Sequence, residues 1–345
     1  MMIGKVGMYG GKFVPVHLGH VYAMIKASTM VDELHVIVSY DTEYEKNVLF
    51  KDARIPYIPF RQRIRWWKQL TKDLAHVHVH AIEEIQTGQF SDWEKGADAI
   101  KQAIGKEIDV VFSSEPRYSE YFDVLYPKAE HIVIDAAREK YPVSATAIRQ
   151  DGALKHWELL PQPVRTFFVK KVVIVGTESC GKSTLVRNLA ALYNSVFVEE
   201  TGRTYYERLG DCETITQPAD FPEIAIEHKY HEKQQLESAN KVLFIDTEAV
   251  VTQYFSQLYV NEHQPVLDTL ASIQNYDLWL FLEPDVEWVD DGTRSFGEQA
   301  VREANNEALK KMLDERGVAY ETIRGSYEKR LRKAIKLVDQ LLSNS

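Results

Sequence analysis

The chain has 345 residues, a formal net charge of −10 and an apolar content of 45%. A chain of this length usually forms two domains, each with its own core. The acidic balance argues against a general affinity for nucleic acids or anionic membranes, which requires basic patches. The chain has only two cysteines, Cys180 and Cys212, so we do not expect a disulfide framework. With no secretory signal and no apolar run of about 18 residues, we expect a cytoplasmic protein that is not inserted in a membrane.

Strand-like and helix-like segments alternate along the chain, which is typical of parallel α/β sheets. In the first half we predict strands at Val6–Tyr9, Leu34–Ser39, Val77–Ala81, Val110–Ser113 and His131–Ile134, and helices at Gln62–Ala75 and Trp93–Ile104. In the second half we predict strands at Val172–Val175, Val196–Glu199, Val242–Ile245, Leu278–Leu282 and Ala319–Ile323, and an amphipathic helix at the C-terminus.

The alternation pauses near residue 160, in the segment LLPQPVRTFFVKK. Pro161 and Pro163 are expected to break a helix there, because proline lacks a backbone N–H. We therefore predict a domain boundary within 161–168 and assign residues 1–165 and 166–345 to two α/β domains with parallel sheets.

The second half opens with VVIVGTESCGKSTL, in which Gly176, Gly181, Lys182 and Ser183 have the spacing G-x-x-x-x-G-K-[ST]. The match lies between an apolar strand and a helical segment, as a phosphate-binding loop requires. The backbone N–H groups of such a loop surround phosphate oxygens, its lysine reaches the β- and γ-phosphates, and its hydroxyl holds Mg²⁺. The alternative is an ordinary glycine-containing turn. The other predicted ATP contacts in this loop are Glu178, Ser179, Cys180 and Thr184.

Two later segments are expected to complete this site. Asp246 follows the apolar strand in KVLFIDTE, which is the position of an acid that binds Mg²⁺; a role as a helix N-cap is compatible with this. The loop DDGTRSFG follows another predicted strand. We predict that Arg294 in this loop closes over the phosphates and stabilises the transferred charge, a solvated turn being the alternative.

A second phosphate turn is predicted in GGKFVPVHLGH, which spans Gly10 to His20. His17 and His20 lie three residues apart at the start of a predicted helix, where unpaired N–H groups and the helix dipole favour anions. The pair can bracket a polyphosphate. A zinc half-site is the alternative, but no cysteine or third ligand follows at a suitable spacing.

Together with PVSATAIRQD, this turn resembles the H-x-G-H and I-S-x-T-x-I-R signatures of the nucleotidyltransferase superfamily. With the P-loop segment added, the chain resembles the NadR-type bifunctional nicotinamide mononucleotide (NMN) adenylyltransferases/ribosylnicotinamide kinases along almost its whole length. The similar blocks are VDELHVIVSYDT, VVFSSEP, PVSATAIR, GTESCGKS, FIDTE and WVDDGTRSFG. The resemblance implies a Rossmann-like nucleotidyltransferase domain followed by a P-loop kinase domain.

The resemblance also implies roles for residues of the first domain. His17, His20 and Arg149 would hold ATP phosphates during catalysis, and Trp93 would stack on nicotinamide. Packing at a helix start is the alternative for Trp93. The further nucleotide contacts implied here are Gly11, Lys12, Phe13, Ser114, Glu115, Ser144 and Thr146.

In the second domain, Glu200 and Arg203 match a Glu-x-x-Arg block suited to an acceptor hydroxyl. Lys182 and Arg294 would neutralise charge, and Asp246 or Glu200 would orient or deprotonate the hydroxyl. The implied Mg²⁺ ligands are Ser183 and Asp246, and the implied substrate contacts are Glu200, Arg203, Asp246 and Glu248. The chain departs from the family pattern at Val14, at Glu248 and at the residue before His228.

The implied function is NAD salvage with ATP as co-substrate and Mg²⁺ as cofactor: nicotinamide riboside is phosphorylated to NMN, and NMN is adenylylated to NAD and pyrophosphate. Two alternatives are an adenylyltransferase whose P-loop domain only senses ATP, and a regulatory protein that binds DNA or a transporter. The first domain could also accept pantetheine phosphate, glycerol phosphate or nicotinate mononucleotide. Enteric members carry a helix-turn-helix segment before the first domain. The first strand here is expected from about residue 3, so we expect no operator binding. A homo-oligomer is compatible with the sequence.

Overall fold

The computed structural model describes residues 4–210, 214–286 and 298–344. The chain divides into two compact units, and the division falls between Phe168 and Val169. Over the described ranges each unit is built around a five-stranded, fully parallel sheet. The predicted fold class is therefore confirmed. No helix among these residues combines the length and the apolar character needed to cross a bilayer.

The first unit has the sheet order β3-β2-β1-β4-β5, with β1 in the middle. Its strands are β1 (Val6–Gly11), β2 (Glu33–Tyr40), β3 (Val77–Glu83), β4 (Val110–Ser113) and β5 (Glu130–Val133). Its helices are α1 (Leu18–Ser28), α2 (Thr42–Tyr44), α3 (Phe60–Leu70), α4 (Phe90–Ile104), α5 (Ser119–Leu125), α6 (Ala145–Asp151) and α7 (Gln162–Phe168). Short turns of other helix types lie at Glu45–Leu49, Pro116–Tyr118 and Leu154–Leu159.

The second unit has the sheet order β10-β9-β6-β8-β7, with β6 in the middle. Its strands are β6 (Lys170–Val175), β7 (Phe197–Val198), β8 (Val242–Asp246), β9 (Leu278–Leu282) and β10 (Glu321–Ile323). Its helices are α8 (Lys182–Leu192), α9 (Thr201–Leu209), α10 (Asp220–Leu236), α11 (Ala249–Val260), α12 (Pro265–Ile273), α13 (Gln299–Glu315) and α14 (Tyr327–Ser343). The predicted C-terminal helix is confirmed as α14, which buries Ala334 and Val338.

Helices pack on these sheets through apolar stripes, which the spacing of apolar residues in the sequence predicts. In the first unit, Ala97, Ile100 and Ile104 of α4 cover Met8 and Ile37 of the sheet, at the three- and four-residue spacing of one helix face. In each sheet the strands that follow the central strand are added first on one side of it and then on the other. A crevice therefore opens at the carboxyl ends of β1 and β6. Ligands of parallel α/β sheets bind in such a crevice.

Two details of the sequence-based prediction were wrong. Helix α3 ends at Leu70 and not at Ala75, because the Thr71 hydroxyl donates to the Trp67 carbonyl at 2.8 Å and the chain turns. Pro163 lies in the first turn of helix α7 and does not break a helix, whereas Pro161 lies between the turn at Leu154–Leu159 and α7. The first positions of a helix need no backbone N–H, so proline is tolerated there.

Two glycines of β1 allow a test of the packing of the first core. A Cβ atom on Gly7 would lie 2.8 Å from the Phe112 ring and 3.0 Å from Val31, whereas a Cβ atom on Gly10 would lie 3.8 Å from Ile37. We expect Gly7→Ala to lower the free energy of unfolding by about 1–3 kcal/mol through overpacking. Gly10→Ala should change it by less than about 0.5 kcal/mol. Denaturant unfolding of the full chain measures both, and equal midpoints would contradict the prediction.

Candidate active sites

The two histidines of the first turn form a hydrogen-bonded pair at the start of α1. His17 is the N-cap residue in an extended conformation, and its backbone N–H donates to Nδ1 of His20 at 3.3 Å. Because a backbone amide can only donate, Nδ1 of His20 accepts and the ring proton lies on Nε2. The backbone thus selects a tautomer whose Nε2–H is available to an anion at the helix N-terminus.

Both rings are uncharged at neutral pH. They stack with a centroid separation of 3.7 Å. Burial lowers the pKa of His17 to about 3, with smaller contributions from Arg138 and His156. Burial also holds the pKa of His20 well below its usual value, and the nearby His17 and Arg138 add to this effect. In the ligand-free protein the pair is therefore neutral.

Arg149 is buried beneath the same turn. Its Nη1 donates to the Val14 carbonyl at 2.7 Å and its Nη2 donates to the Thr146 hydroxyl at 3.1 Å. Ser144 is the N-cap of α6, and its hydroxyl accepts the Ala147 N–H at 3.0 Å. The segment of the second signature thus contacts that of the first, through the hydrogen bond from Arg149 to Val14. Arg149 contributes to the shape of the turn in addition to its positive charge.

The remaining residues of the turn point in different directions. The Phe13 ring is buried and meets the edges of His20 and Trp67 at centroid distances of 5.0 and 4.9 Å. A Cβ atom on Gly11 would lie 3.0 Å from the Phe13 ring, so the glycine leaves room for it. Lys12 is half-buried, and its Nζ lies 3.4 Å from the Glu84 carboxylate. Phe13 can therefore meet a nucleotide only through its backbone.

The structure adds Arg138 to this site, which sequence reasoning missed. Arg138 lies 3.1 Å from the Glu115 carboxylate, and its charge lowers the pKa values of His17 and His20. Its backbone has a φ of 52°. No motif marks this residue, because only the folded loop between β5 and α6 brings it towards the histidines. Ser114 lies beside Glu115 in the loop that follows β4.

Trp93 lies in the first turn of α4 and belongs to an exposed aromatic cluster. Its ring stacks on Tyr121 at 4.8 Å with an interplanar angle of 26°, and it tilts against Tyr118 at 5.5 Å. Phe90 joins the cluster through Tyr121. Because 38% of Trp93 remains exposed, packing on one side does not prevent stacking with a ligand on the other.

In the second unit, the P-loop joins β6 to α8. Gly176 has a φ of 149°, and a Cβ atom there would lie 2.7 Å from the Leu282 carbonyl oxygen. Gly181 has a φ of 87° and caps α8. Buried Cys180 donates its thiol to the Thr177 carbonyl at 3.0 Å, which is a structural role. The loop therefore has the backbone shape predicted from its glycines.

Lys182 and two acids form a charged cluster beside this loop. Lys182 is buried, and its Nζ donates to the Thr177 carbonyl at 3.0 Å. Burial lowers the pKa of Lys182, but Glu200, Cys180 and Asp246 outweigh this and raise it, so the ammonium stays charged. Burial and the charge of Glu200 raise the pKa of Asp246 to about 6, although Lys182 and a hydrogen bond from Ser183 oppose the rise.

Two adjoining clefts meet at Glu200 and Arg203, which line both of them and lie 3.4 Å apart. The first cleft also contains Lys182, Glu178 and Ser179 of the P-loop. Sequence reasoning missed its apolar wall, which consists of Tyr206, Phe221, Ile224, Phe255 and Tyr259. The second cleft is acidic and contains Ser183, Glu199, Glu207 and Asp246. One cleft thus suits an aromatic substrate, and the other suits a cation with phosphate oxygens.

His228 connects the elements around the first cleft. Its Nε2 lies 3.1 Å from the Thr247 carbonyl, to which it must donate, so its Nδ1 accepts the Thr201 hydroxyl at 3.0 Å. Burial lowers the pKa of His228 to about 4, so the ring is neutral. This bond pair ties the start of α9, beside Glu200, to the loop after Asp246.

Other predicted kinase residues lie outside the clefts. Glu248 is buried as the N-cap of α11, and its carboxylate accepts the N–H groups of Val250 and Val251 at 2.8 and 3.0 Å. Glu248 lines neither of the two clefts, and its substrate contact stays a prediction. Thr184 is an exposed residue in the first turn of α8. Arg294 and Cys212 lie outside the described residues.

No group of three or more His, Cys, Asp or Glu residues in the described ranges is arranged to hold a metal ion. The zinc alternative for His17 and His20 therefore finds no third ligand among these residues. Ser183 and Asp246 line the same cleft and present the oxygen atoms that Mg²⁺ prefers.

Two family profiles match the chain. The profile described as cytidylyltransferase-like matches residues 8–151, and the profile described as AAA domain matches residues 171–330. The fold and the two phosphate turns define a nucleotide-binding α/β protein in which a nucleotidyltransferase-type unit precedes a P-loop unit.

Similarity to known proteins extends over both units. The chain is 33% identical to the trifunctional NAD biosynthesis/regulator protein NadR of Salmonella typhimurium, over 98% of this chain and 83% of that protein. A solved structure of NadR protein in complex with NR covers 98% of this chain and 96% of its own, with a TM-score of 0.82 and 25% identity. A NadR structure in complex with NAD and AMP-PNP has the same coverage, a TM-score of 0.78 and 23% identity. The chain belongs to the NadR family.

The state of the histidine pair can be measured directly. Because the pKa of His17 is lowered to about 3, its ring loses its proton below pH 5 and stays neutral from pH 5 to 8. We expect the imidazole carbon and proton chemical shifts of His17 in the free protein to be constant over this interval. A His17→Asn variant identifies the resonances. A titration with a midpoint between pH 6 and 7 would contradict the buried, neutral pair.

Proposed function

We propose that this chain makes NAD from nicotinamide riboside in two ATP-dependent steps, one in each unit. The observation that carries the proposal is the presence of two complete phosphate turns, each with its own polar site, in one chain of the NadR family. The names of its relatives support the substrates: one is an NAD biosynthesis protein, and two solved relatives bind NR, or NAD with AMP-PNP.

In the P-loop unit, the proposed reaction moves the γ-phosphoryl group of ATP to the 5′-hydroxyl of nicotinamide riboside. The apolar wall of the first cleft suits the nicotinamide ring, and Glu200 at the junction of the clefts suits the acceptor hydroxyl. Glu200 can accept the hydroxyl proton, while Lys182 carries positive charge to the phosphates. Asp246 is the other candidate for this proton because its pKa is raised to about 6.

Mg²⁺ fits the acidic cleft. Ser183 and Asp246 would hold the ion, because their side-chain oxygen atoms line the same cleft beside the P-loop. When bound, Mg²⁺ would neutralise charge on the β- and γ-phosphate oxygens. Two protein ligands are sufficient, because Mg²⁺ usually keeps water and phosphate oxygens as its remaining ligands.

In the first unit, the proposed reaction joins NMN to the α-phosphorus of ATP and releases pyrophosphate. The NMN phosphate is itself a competent nucleophile, so the protein needs to position it and to stabilise charge on the leaving group. His20 donates from Nε2, and Arg149 and Arg138 supply positive charge beside the turn. A neutral imidazole can donate this hydrogen bond without first taking up a proton.

The two activities should be separable by mutation. His20→Ala removes a donor to the leaving pyrophosphate and should lower NAD formation from NMN by a factor of about 10²–10³. It should leave phosphorylation of nicotinamide riboside intact, so that NMN accumulates. Lys182→Ala should block phosphorylation of nicotinamide riboside and leave NAD formation from NMN intact, because the Lys182 ammonium lies in the P-loop unit. Each half-reaction is measured separately in purified full-length protein.

Exposed residues of the same types provide the controls for this experiment. His231→Ala and Lys311→Ala change side chains that are 41% and 78% exposed, and both half-reactions should stay at the wild-type rate. Loss of both half-reactions in a folded His20 or Lys182 variant would reject the two-site proposal. A wild-type chain that never phosphorylates nicotinamide riboside would favour a P-loop unit that only senses ATP.

Trp93 offers a separate test of the NMN site. If its exposed face stacks on nicotinamide, Trp93→Ala should weaken NMN binding by about 1–3 kcal/mol, whereas Trp93→Phe should retain most of the affinity. ATP binding should be unchanged in both variants, and calorimetric titration measures each ligand. A similar loss for NMN and ATP, or a large fall in the melting temperature, would identify Trp93 as a packing residue of the aromatic cluster.

A further inference from the structure

A fully buried ion pair lies behind the nucleotide turn of the first unit. Glu45 and Arg63 are both 0% exposed. Arg63 donates to the carboxylate with both terminal nitrogens, at 2.9 and 2.8 Å. Arg63 belongs to α3, and Glu45 begins the short π-helical turn at Glu45–Leu49. Single π-helical turns are frequent at functional sites.

Stability alone is a poor explanation for such a pair. Removing two charges from water costs free energy that their attraction barely recovers, and well-packed apolar residues often stabilise a protein equally well. The Arg63 Nε atom is also buried without a hydrogen-bond partner among the described residues. An explanation should therefore be sought in what the pair holds in place.

The pair holds the backbone of the turn. Nη1 of Arg63 donates to the Lys12 carbonyl at 2.6 Å and reaches the Ser39 carbonyl at 3.4 Å. Two residues further along, Arg149 holds the Val14 carbonyl at 2.7 Å. Two guanidinium groups, from α3 and α6, thus bind carbonyl groups on either side of Phe13.

This arrangement directs an amide towards the ligand side of the turn. In a trans peptide unit the C=O and N–H groups point in opposite directions, so the inward Lys12 carbonyl turns the Phe13 N–H outward. No described residue accepts a hydrogen bond from this N–H. Phe13 has a φ of 53° and its ring packs against His20, so a shift of Phe13 also shifts the histidine.

We propose that Glu45 and Arg63 are positioning residues for adenylyl transfer: Glu45 orients Arg63, and Arg63 holds the Lys12 carbonyl so that the Phe13 amide and His20 face the ATP phosphates. The inference rests on the proposed adenylyl transfer at this turn. Neither side chain touches the nucleotide, and both act through the backbone. A misplacement of the turn by about 1 Å can cost up to about 10²-fold in rate.

The test compares three variants of the full-length protein: Arg63→Lys, Glu45→Gln, and the double variant Glu45→Met/Arg63→Met. The double variant replaces the pair with apolar residues and should retain the melting temperature, because no buried charge is left unpaired. We expect its kcat/KM for ATP in NAD formation to fall about 10- to 100-fold. Arg63→Lys keeps the charge but loses the two-pronged hydrogen bonding, so its kcat/KM for ATP should fall by an intermediate factor. Glu45→Gln keeps an acceptor for Arg63, so its kcat/KM for ATP should fall the least of the three variants.

Phosphorylation of nicotinamide riboside by the other unit is the internal control and should stay within twofold of wild type in all three variants. NAD formation within twofold of wild type in a folded double variant would overturn the proposal and leave the pair a purely structural role. If the double variant does not fold, unchanged adenylyl transfer in Arg63→Lys would overturn it. A wild-type chain without any adenylyl transfer would instead reject the proposed function.

Discussion

Buried cations hold backbone carbonyl groups in both predicted phosphate turns. In the first unit, Arg63 and Arg149 bind the carbonyls of Lys12 and Val14. A turn that binds phosphate must present its N–H groups outward, and a carbonyl held inward by a charged donor enforces this orientation. Arg149 thus adds positive charge to the support of the turn, whereas the charge of Arg63 is neutralised by Glu45.

The second unit reaches the same result with different residues. Lys182 donates to the Thr177 carbonyl from within the P-loop. Arg330 of α14 is buried and donates to the Cys180 carbonyl, and it also binds the Glu283 carbonyl at 2.8 Å. The C-terminal helix therefore supports the P-loop directly, in addition to covering the core with its apolar face.

The sequence was sufficient for the features that depend on local pattern. Period and composition located the strands of both sheets, because alternation and apolar runs follow from backbone geometry. Glycine spacing located the P-loop, since few other residues adopt the φ of Gly176 and Gly181. His17 and His20 were identified because they lie only three residues apart, and Asp246 because it ends an apolar strand. Errors fell where a single side chain redirects the chain, as Thr71 does at the end of α3.

Contacts between distant segments were decided by the tertiary structure alone. Arg63 lies 51 residues from the carbonyl that it holds, and Arg138 reaches the histidine pair only through a folded loop. Protonation follows the same rule: burial keeps His17 neutral and raises the pKa of Asp246, and no sequence pattern encodes burial of an individual polar group. The sequence by itself therefore determined the fold class, the family and the two phosphate turns. The tertiary structure decided which cations support those turns and which of their groups are charged, because both depend on packing between segments that are far apart in the chain.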